Sequence, residues 1–136
     1  TSSLAHEMLA HALLSQVSMR PGLRLKGGLA AHQRRHLVEF IDSQLAEAIS
    51  LGQLAALCAL SEYHFARMFR ESFGLPPHQY VLARRLNRAR ELLRSTSQPL
   101  GEIALACGFA SASHFTNRFR QALGGTPGEY RQAFLR

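Results

Sequence analysis

The chain has 136 residues and a formal net charge of +7, with sixteen Lys+Arg against nine Asp+Glu; Lys26 is its single lysine, so fifteen of the sixteen cations are arginine, whose planar donor fork matches phosphate and guanine. A hydrophobic fraction of 46% argues against disorder, and no apolar run approaches the ~18 residues that span a bilayer. His6, Glu7, His11 and Gln16 break any signal-peptide pattern, and two cysteines are too few for a disulfide framework or a four-cysteine zinc site, which points to a reducing, cytoplasmic setting and a polyanionic partner.

In chain order, Ala5 to Val17 reads as an amphipathic helix through Leu4, Met8, Leu9, Leu13 and Val17. The basic, glycine-bearing stretch from Arg20 to Gly28 reads as a linker. The start at Thr1 points to a fragment of a longer protein. A helix from Ala31 to Leu45 lines up Leu37, Val38, Ile41 and Leu45. Ser50 and Gln53 form a capping box for a short helix carrying Leu51, Leu54, Ala55 and Leu57. Cys58-Ala-Leu60 is a turn, and Ser61 caps a helix whose inward stripe is Phe65, Met68, Phe69, Ser72 and Phe73. Gly74 ends it where a left-handed residue is wanted. A long helix without Gly or Pro runs from about His78 to Ser95 and can hold its flanking units in fixed relation. A second short helix covers Leu100 to Ala106, followed by a turn at Cys107-Gly-Phe109-Ala. Ser111 caps a helix to Leu123 and Gly124, and Thr126-Pro-Gly-Glu129 opens a last one with a capping box and proline at its first position.

Two stretches of this order are the same unit. Leu51-Gly-Gln-Leu-Ala-Ala-Leu-Cys-Ala-Leu60 lies over Leu100-Gly-Glu-Ile-Ala-Leu-Ala-Cys-Gly-Phe109, and His64-Phe65 with Phe69-Arg70 over His114-Phe115 with Phe119-Arg120. The match continues from Gly74-x-x-Pro77-x-x-Tyr80 to Gly124-x-x-Pro127-x-x-Tyr130. Two helices joined by three or four residues are the helix-turn-helix pattern. The expected fold is all-α: two helix-turn-helix subdomains, residues 29–81 and 97–136, joined by a linker helix at 82–96 that begins near 78. The N-terminal helix and basic linker occupy 1–28.

Helical spacing assigns a reading face to each second helix. Opposite the Phe65 and Phe69 side stand Tyr63, Arg67 and Arg70, with Ala66 at the edge; the matched positions are Ser113, Asn117 and Arg120, with Thr116 at the edge. Arg67 suits guanine O6 and N7, Asn117 suits adenine N6 and N7, Thr116 a thymine methyl, and Tyr63 can stack. Arg70 and Arg120, one turn on, suit phosphate. The free N–H groups at Ser50–Leu51 and Leu100–Gly101 suit phosphate as well. Arg84, Arg85, Arg88, Arg90 and Arg94 read as a solvated face or as members of intramolecular pairs, such as those with Glu91, with at most one or two touching a polyanion. His64 and His114 suit phosphate contact or packing rather than a metal, and Cys58 and Cys107 suit core packing.

From Leu51 through Pro127-Gly-Glu-Tyr130, the chain resembles the DNA-binding domain of AraC/XylS-type bacterial transcription regulators, over roughly residues 29 to 134. The resemblance implies two recognition helices in successive major grooves on one face of double-stranded DNA. It also implies a separate effector-sensing or dimerisation domain and contact with RNA polymerase. The family's base-contacting positions fall on Tyr63, Ala66 and Arg67, and on Ser113, His114, Thr116 and Asn117. Ala66 departs from the polar residue common there. One chain is expected to bind an asymmetric two-box site, the boxes about 10 base pairs apart. The competing readings are the DNA-binding portion of a DNA-repair alkyltransferase fusion and a protein-interaction scaffold built on the 5–17 helix. The first needs a zinc cysteine cluster and a Pro-Cys-His nucleophile, which the sequence lacks; it also lacks Walker, dinucleotide-loop and Ser/His/Asp patterns, so no enzyme and no cofactor is expected.

Overall fold

A computed structural model describes residues 28–134, and the helix expected at 5–17 lies outside them together with most of the basic linker. Among the described residues there are seven helices and no strand: α1 (Ala31–Ser43), α2 (Leu51–Leu57), α3 (Glu62–Phe73), α4 (Pro77–Ser95), α5 (Leu100–Ala106), α6 (Ala112–Leu123) and α7 (Pro127–Phe134). The chain divides into two compact units, one running to Arg84 and the other from Arg85. The division therefore falls inside α4, whose first two turns belong to the first unit and the rest to the second.

The first unit is α1, α2, α3 and the start of α4. Its core joins Leu37, Ile41, Leu54, Phe65, Phe69, Tyr80 and Val81. Leu45 is in the same core, yet α1 ends at Ser43, two residues short of the expected limit. The chain turns there through Gln44, whose N–H reaches back to the Ile41 carbonyl. Leu29, fully buried, opens the unit. Its N–H donates to Ser72 Oγ at 2.6 Å, and its carbonyl accepts from Arg34 Nη1 at 2.6 Å. Those two bonds explain why a serine sits in an apolar stripe and why Arg34 is buried: an unpaired backbone group there would cost about 1–3 kcal/mol. Arg84 binds Asp42 on α1 through both nitrogens of its fork, at 3.0 and 2.8 Å. Arg84 is thus paired within the protein, with Asp42.

The second unit buries Leu86, Ala89 and Leu93 of α4 with Ile103, Ala104, Phe109, Phe115, Phe119, Leu123 and Tyr130. Arg90 is 6% exposed, so of the two expectations for it the intramolecular partner holds and the solvated face does not. Its Nε donates to Tyr130 Oη at 3.2 Å, and its guanidinium lies 5.7 Å from the centre of that ring. The Arg131 guanidinium donates to the carbonyls of Leu93, Thr96 and Gln98, closing the carbonyl end of α4.

In both units, α2–α3 and α5–α6 turn through the same hydrogen-bond pattern. Leu60 N–H reaches Ala55 O at 3.1 Å, and Phe109 N–H reaches Ala104 O at 2.9 Å. The pattern needs a left-handed residue at its centre. The second unit uses Gly108 (φ 87°), while the first forces Ala59 to φ 55°. Ala59→Gly should therefore stabilise the chain by about 0.5–1 kcal/mol, and Gly108→Ala should destabilise it by about 1–2 kcal/mol, in chemical denaturation. Equal effects at the two sites would contradict the strain argument.

The capping box before α7 forms as the sequence predicts: Thr126 N–H donates to Glu129 Oε1 at 2.8 Å, and Glu129 N–H to Thr126 Oγ1 at 3.1 Å. The Thr126 N–H, then its hydroxyl, hold the Glu129 carboxyl below the usual range; slight desolvation opposes this and the Arg120 charge assists it. A pKa lowered by folding means that the stabilisation is complete above the ordinary carboxylate pKa and lost as pH falls through the lowered value. The melting-temperature gap between the wild type and Glu129→Gln should accordingly shrink on acidification. A gap independent of pH would remove the carboxylate from the account.

Candidate nucleic-acid interface

What orients each second helix is a pair of phenylalanines one turn apart. Phe65 and Phe69 of α3 are fully buried, with ring centres 5.6 Å apart; Phe115 and Phe119 of α6 are likewise buried at 5.7 Å. The tyrosine that follows each Gly-x-x-Pro closes the packing edge-on. Phe69 meets Tyr80 at 5.5 Å and 75°, and Phe119 meets Tyr130 at 5.5 Å and 71°. Such contacts contribute about 0.5–1.5 kcal/mol each beyond area burial. Gly74 (φ 80°) and Gly124 (φ 84°) end the helices in the left-handed conformation, and Pro77 and Pro127 start the next ones. Burial pushes the Tyr80 phenol up to about 12, with Arg84 lowering it and Asp42 raising it, so it packs as a neutral ring.

With the inward face fixed, the predicted residues fall outward. Tyr63, His64, Arg67 and Arg70 are exposed and Ala66 half-buried on α3; Ser113, His114, Asn117 and Arg120 are exposed and Thr116 half-buried on α6. Tyr63 is 68% exposed, more than an aromatic in a packed position would be. Both helices start on serine caps: Ser61 Oγ accepts from His64 N–H at 3.2 Å, and Ser111 Oγ from His114 N–H at 3.1 Å. His64 Nδ1 also lies 3.1 Å from Ser61 Oγ, and the His114 and Phe109 rings meet in a T-shaped contact at 5.7 Å and 73°. On α6, Ala112, Ser113, Thr116 and Asn117 line one open depression of about 320 Å³. Ala112 is an addition to the predicted set; the cap at Ser111 was the signal that places it at the exposed helix start.

The short helices carry the amide positions. The Ser50 N–H donates to Gln53 Oε1 at 2.8 Å and so is taken within the capping box, which corrects its reading as a free donor; Leu51 is exposed beside it. In the second unit Pro99 replaces the serine cap, and Gly101 is exposed. The two glycines differ in their surroundings. A Cβ on Gly52 would lie 3.2 Å from Glu62 Oε2, whereas one on Gly101 would meet nothing within 4 Å, because Ala112 stands where the first unit has Glu62. Gly101→Ala should raise stability by about 0.5–1 kcal/mol in thermal or chemical melts, with Gly52→Ala gaining less because Glu62 must move. A larger gain at Gly52 would refute the placement of Glu62.

Cys58 and Cys107 are core residues. Burial raises the Cys58 thiol, and it raises Cys107 to about 11, with Arg88 and Arg85 lowering it and Glu91 raising it. Among the described residues no group of three or more His, Cys, Asp or Glu could hold a metal ion, and no helix is long and apolar enough to cross a membrane.

Two capped, outward-facing helices, each preceded by a short helix and a tight turn, define the helix-turn-helix class. A family model described as a helix-turn-helix domain matches residues 54–133. The chain is 36% identical over 117 residues to the HTH-type transcriptional activator RhaS of Escherichia fergusonii, a match covering 85% of this chain and 42% of that protein. It is 33% identical over 96 residues to the bifunctional transcriptional activator/DNA repair enzyme AdaA of Bacillus subtilis, covering 71% of this chain and 46% of that one. A crystal structure of a transcriptional regulator with an AraC-type DNA-binding domain, from Chromobacterium violaceum, is similar with a TM-score of 0.71 at 33% identity, over 77% of this chain and 94% of that one. So is the DNA-binding domain of AdpA, a global transcriptional factor, in complex with a target DNA: TM-score 0.70 at 32% identity, over 74% and 90%. The chain belongs to the AraC/XylS-type helix-turn-helix family of transcription regulators. It spans less than half the length of the two curated relatives.

Proposed function

We propose that the chain is the sequence-specific, double-stranded-DNA-binding module of a transcription regulator, and that α3 and α6 enter successive major grooves of an asymmetric two-box site. The observation that carries this reading is the matched presentation of donor-bearing faces by α3 and α6, each aimed by its own buried phenylalanine pair. Similarity to the AdpA domain in complex with its target DNA supports it.

In the first box Arg67 reads guanine, with Tyr63 stacking beside it, and Ala66 leaves a gap. In the second, Asn117 reads adenine while Ser113, His114 and Thr116 add small contacts. Arg70, Arg120 and His64, with the amides at Leu51 and Gly101, meet phosphates and set register. RNA polymerase is the protein partner, an effector-sensing or dimerisation domain completes the regulator, and the chain itself performs no chemistry. The names of the relatives support regulation and activation, while AdaA shows that the same kind of domain also occurs beside a repair activity.

Selection of bound sequences from a random duplex pool tests this. The wild type should recover two distinct boxes. Arg67→Ala should erase the preference at one position of the first box and Asn117→Ala at one position of the second, each by about 1–3 kcal/mol of discrimination. Recovery of an unchanged site by both variants would overturn the assignment of reading faces.

A further inference from the structure

The two recognition helices differ at one exposed position in a way that the reading above leaves unused. Where α3 has Met68, half-buried against its core, α6 has Arg118, which is exposed. Arg118 Nε donates to His114 Nε2 at 3.4 Å, one helical turn back. That bond holds the inner end of the guanidinium along the helix and leaves its outer nitrogens turned to solvent. The helix Ala112–Leu123 has no carboxylate to compete for the cation.

Position around the helix gives the consequence. At about 100° per residue, Arg118 stands about 100° to one side of Asn117, and Arg120 about 60° to the other. A helix lying in a major groove with Asn117 toward the bases has a phosphate backbone on each flank. Arg120 faces one wall and Arg118 the other. On α3, Arg70 has the place of Arg120, and Met68 leaves the opposite flank without a cation.

We infer that Arg118 is a second phosphate clamp, specific to the α6 half of the site, and that His114 is its positioning residue, accepting from Nε so that the outer fork points at the backbone. The inference rests on the DNA-binding reading and deepens it: α6 sets an arginine against each groove wall, whereas α3 has Arg70 on one side and only the shorter His64 on the other. His114 then has a role beyond any base contact of its own, and it must be neutral at Nε2 to perform it.

The test measures affinity against salt concentration for the whole chain, using a duplex recovered by the wild type from the random pool and an unselected duplex. Arg118→Met, which installs the first unit's residue, should weaken both complexes by about tenfold. It should also lower the slope of log K against log salt by about one unit, without changing the recovered sequence. His114→Ala should reproduce part of that loss, and His114→Gln, which retains an acceptor, should restore it. In the double variant Arg118→Met/His114→Ala, the loss should be smaller than the sum of the two single losses. Loss of preference at a single base position with an unchanged salt slope would make Arg118 a base reader and overturn the clamp. Unchanged affinity and slope would overturn it outright, and additive losses would overturn the positioning role. Absence of salt-dependent binding by the wild type itself would instead refute the DNA-binding reading.

Discussion

What α3 and α6 present to a partner depends on the edge contact between a phenylalanine of each helix and the tyrosine of the helix that follows it. The Phe69–Tyr80 and Phe119–Tyr130 contacts have the same centre distance and nearly the same tilt. Removing such a fully buried ring costs about 3–5 kcal/mol. That is a large share of the stability of a unit this small. A helix locked by two phenylalanines one turn apart cannot roll, so the outward residues are settled by arithmetic from the inward ones. The Gly-x-x-Pro-x-x-Tyr signature is the covalent route to that contact: a left-handed glycine stops one helix, proline starts the next, and tyrosine returns to the core.

The same frame carries two different outward chemistries. Around α3 an acidic Glu62 leans over Gly52, an alanine interrupts the reading face, and one flank carries a cation. Around α6 the acid is replaced by Ala112, the face is lined by Ser113, Thr116 and Asn117, and both flanks carry arginine. The inward halves hardly differ, because they must solve the same packing problem. The outward halves diverge, because no packing constraint reaches them.

Most helix limits, the serine caps, the left-handed glycines and the inward stripes were legible in the residues, since each rests on local chemistry within one or two turns; the end of α1 was not, because Leu45 keeps its place in the core after the helix has stopped. The outward positions were legible for the same reason, as they are the complement of the stripe. Less legible was the use of arginine. The composition pointed to a polyanion without saying which arginines meet it, and Arg34, Arg84, Arg90 and Arg131 work inside the protein, on Leu29 O, Asp42, Tyr130 and the carbonyl end of α4. The partners of Arg84, Arg90 and Arg131 are distant in sequence, and spacing carries no information about such pairs; Leu29 is only five residues from Arg34, but it lies before the helix, where no periodicity reaches it. The Ser50 amide shows the converse limit: its neighbour Gln53 was recognised as a capping residue, but the donor it consumes was still counted as free.

The central claim is that phenylalanine packing in each unit dictates a single DNA-facing surface on α3 and on α6. Residue-resolved nuclear magnetic resonance during titration with a selected duplex tests it most directly. The account predicts that the side-chain signals of Tyr63, Arg67, Ser113, Thr116 and Asn117 shift and broaden, while those of Phe65, Phe69, Phe115 and Phe119 hold their positions. Shifts concentrated on α1 or on the exposed arginines of α4, with α3 and α6 silent, would contradict it.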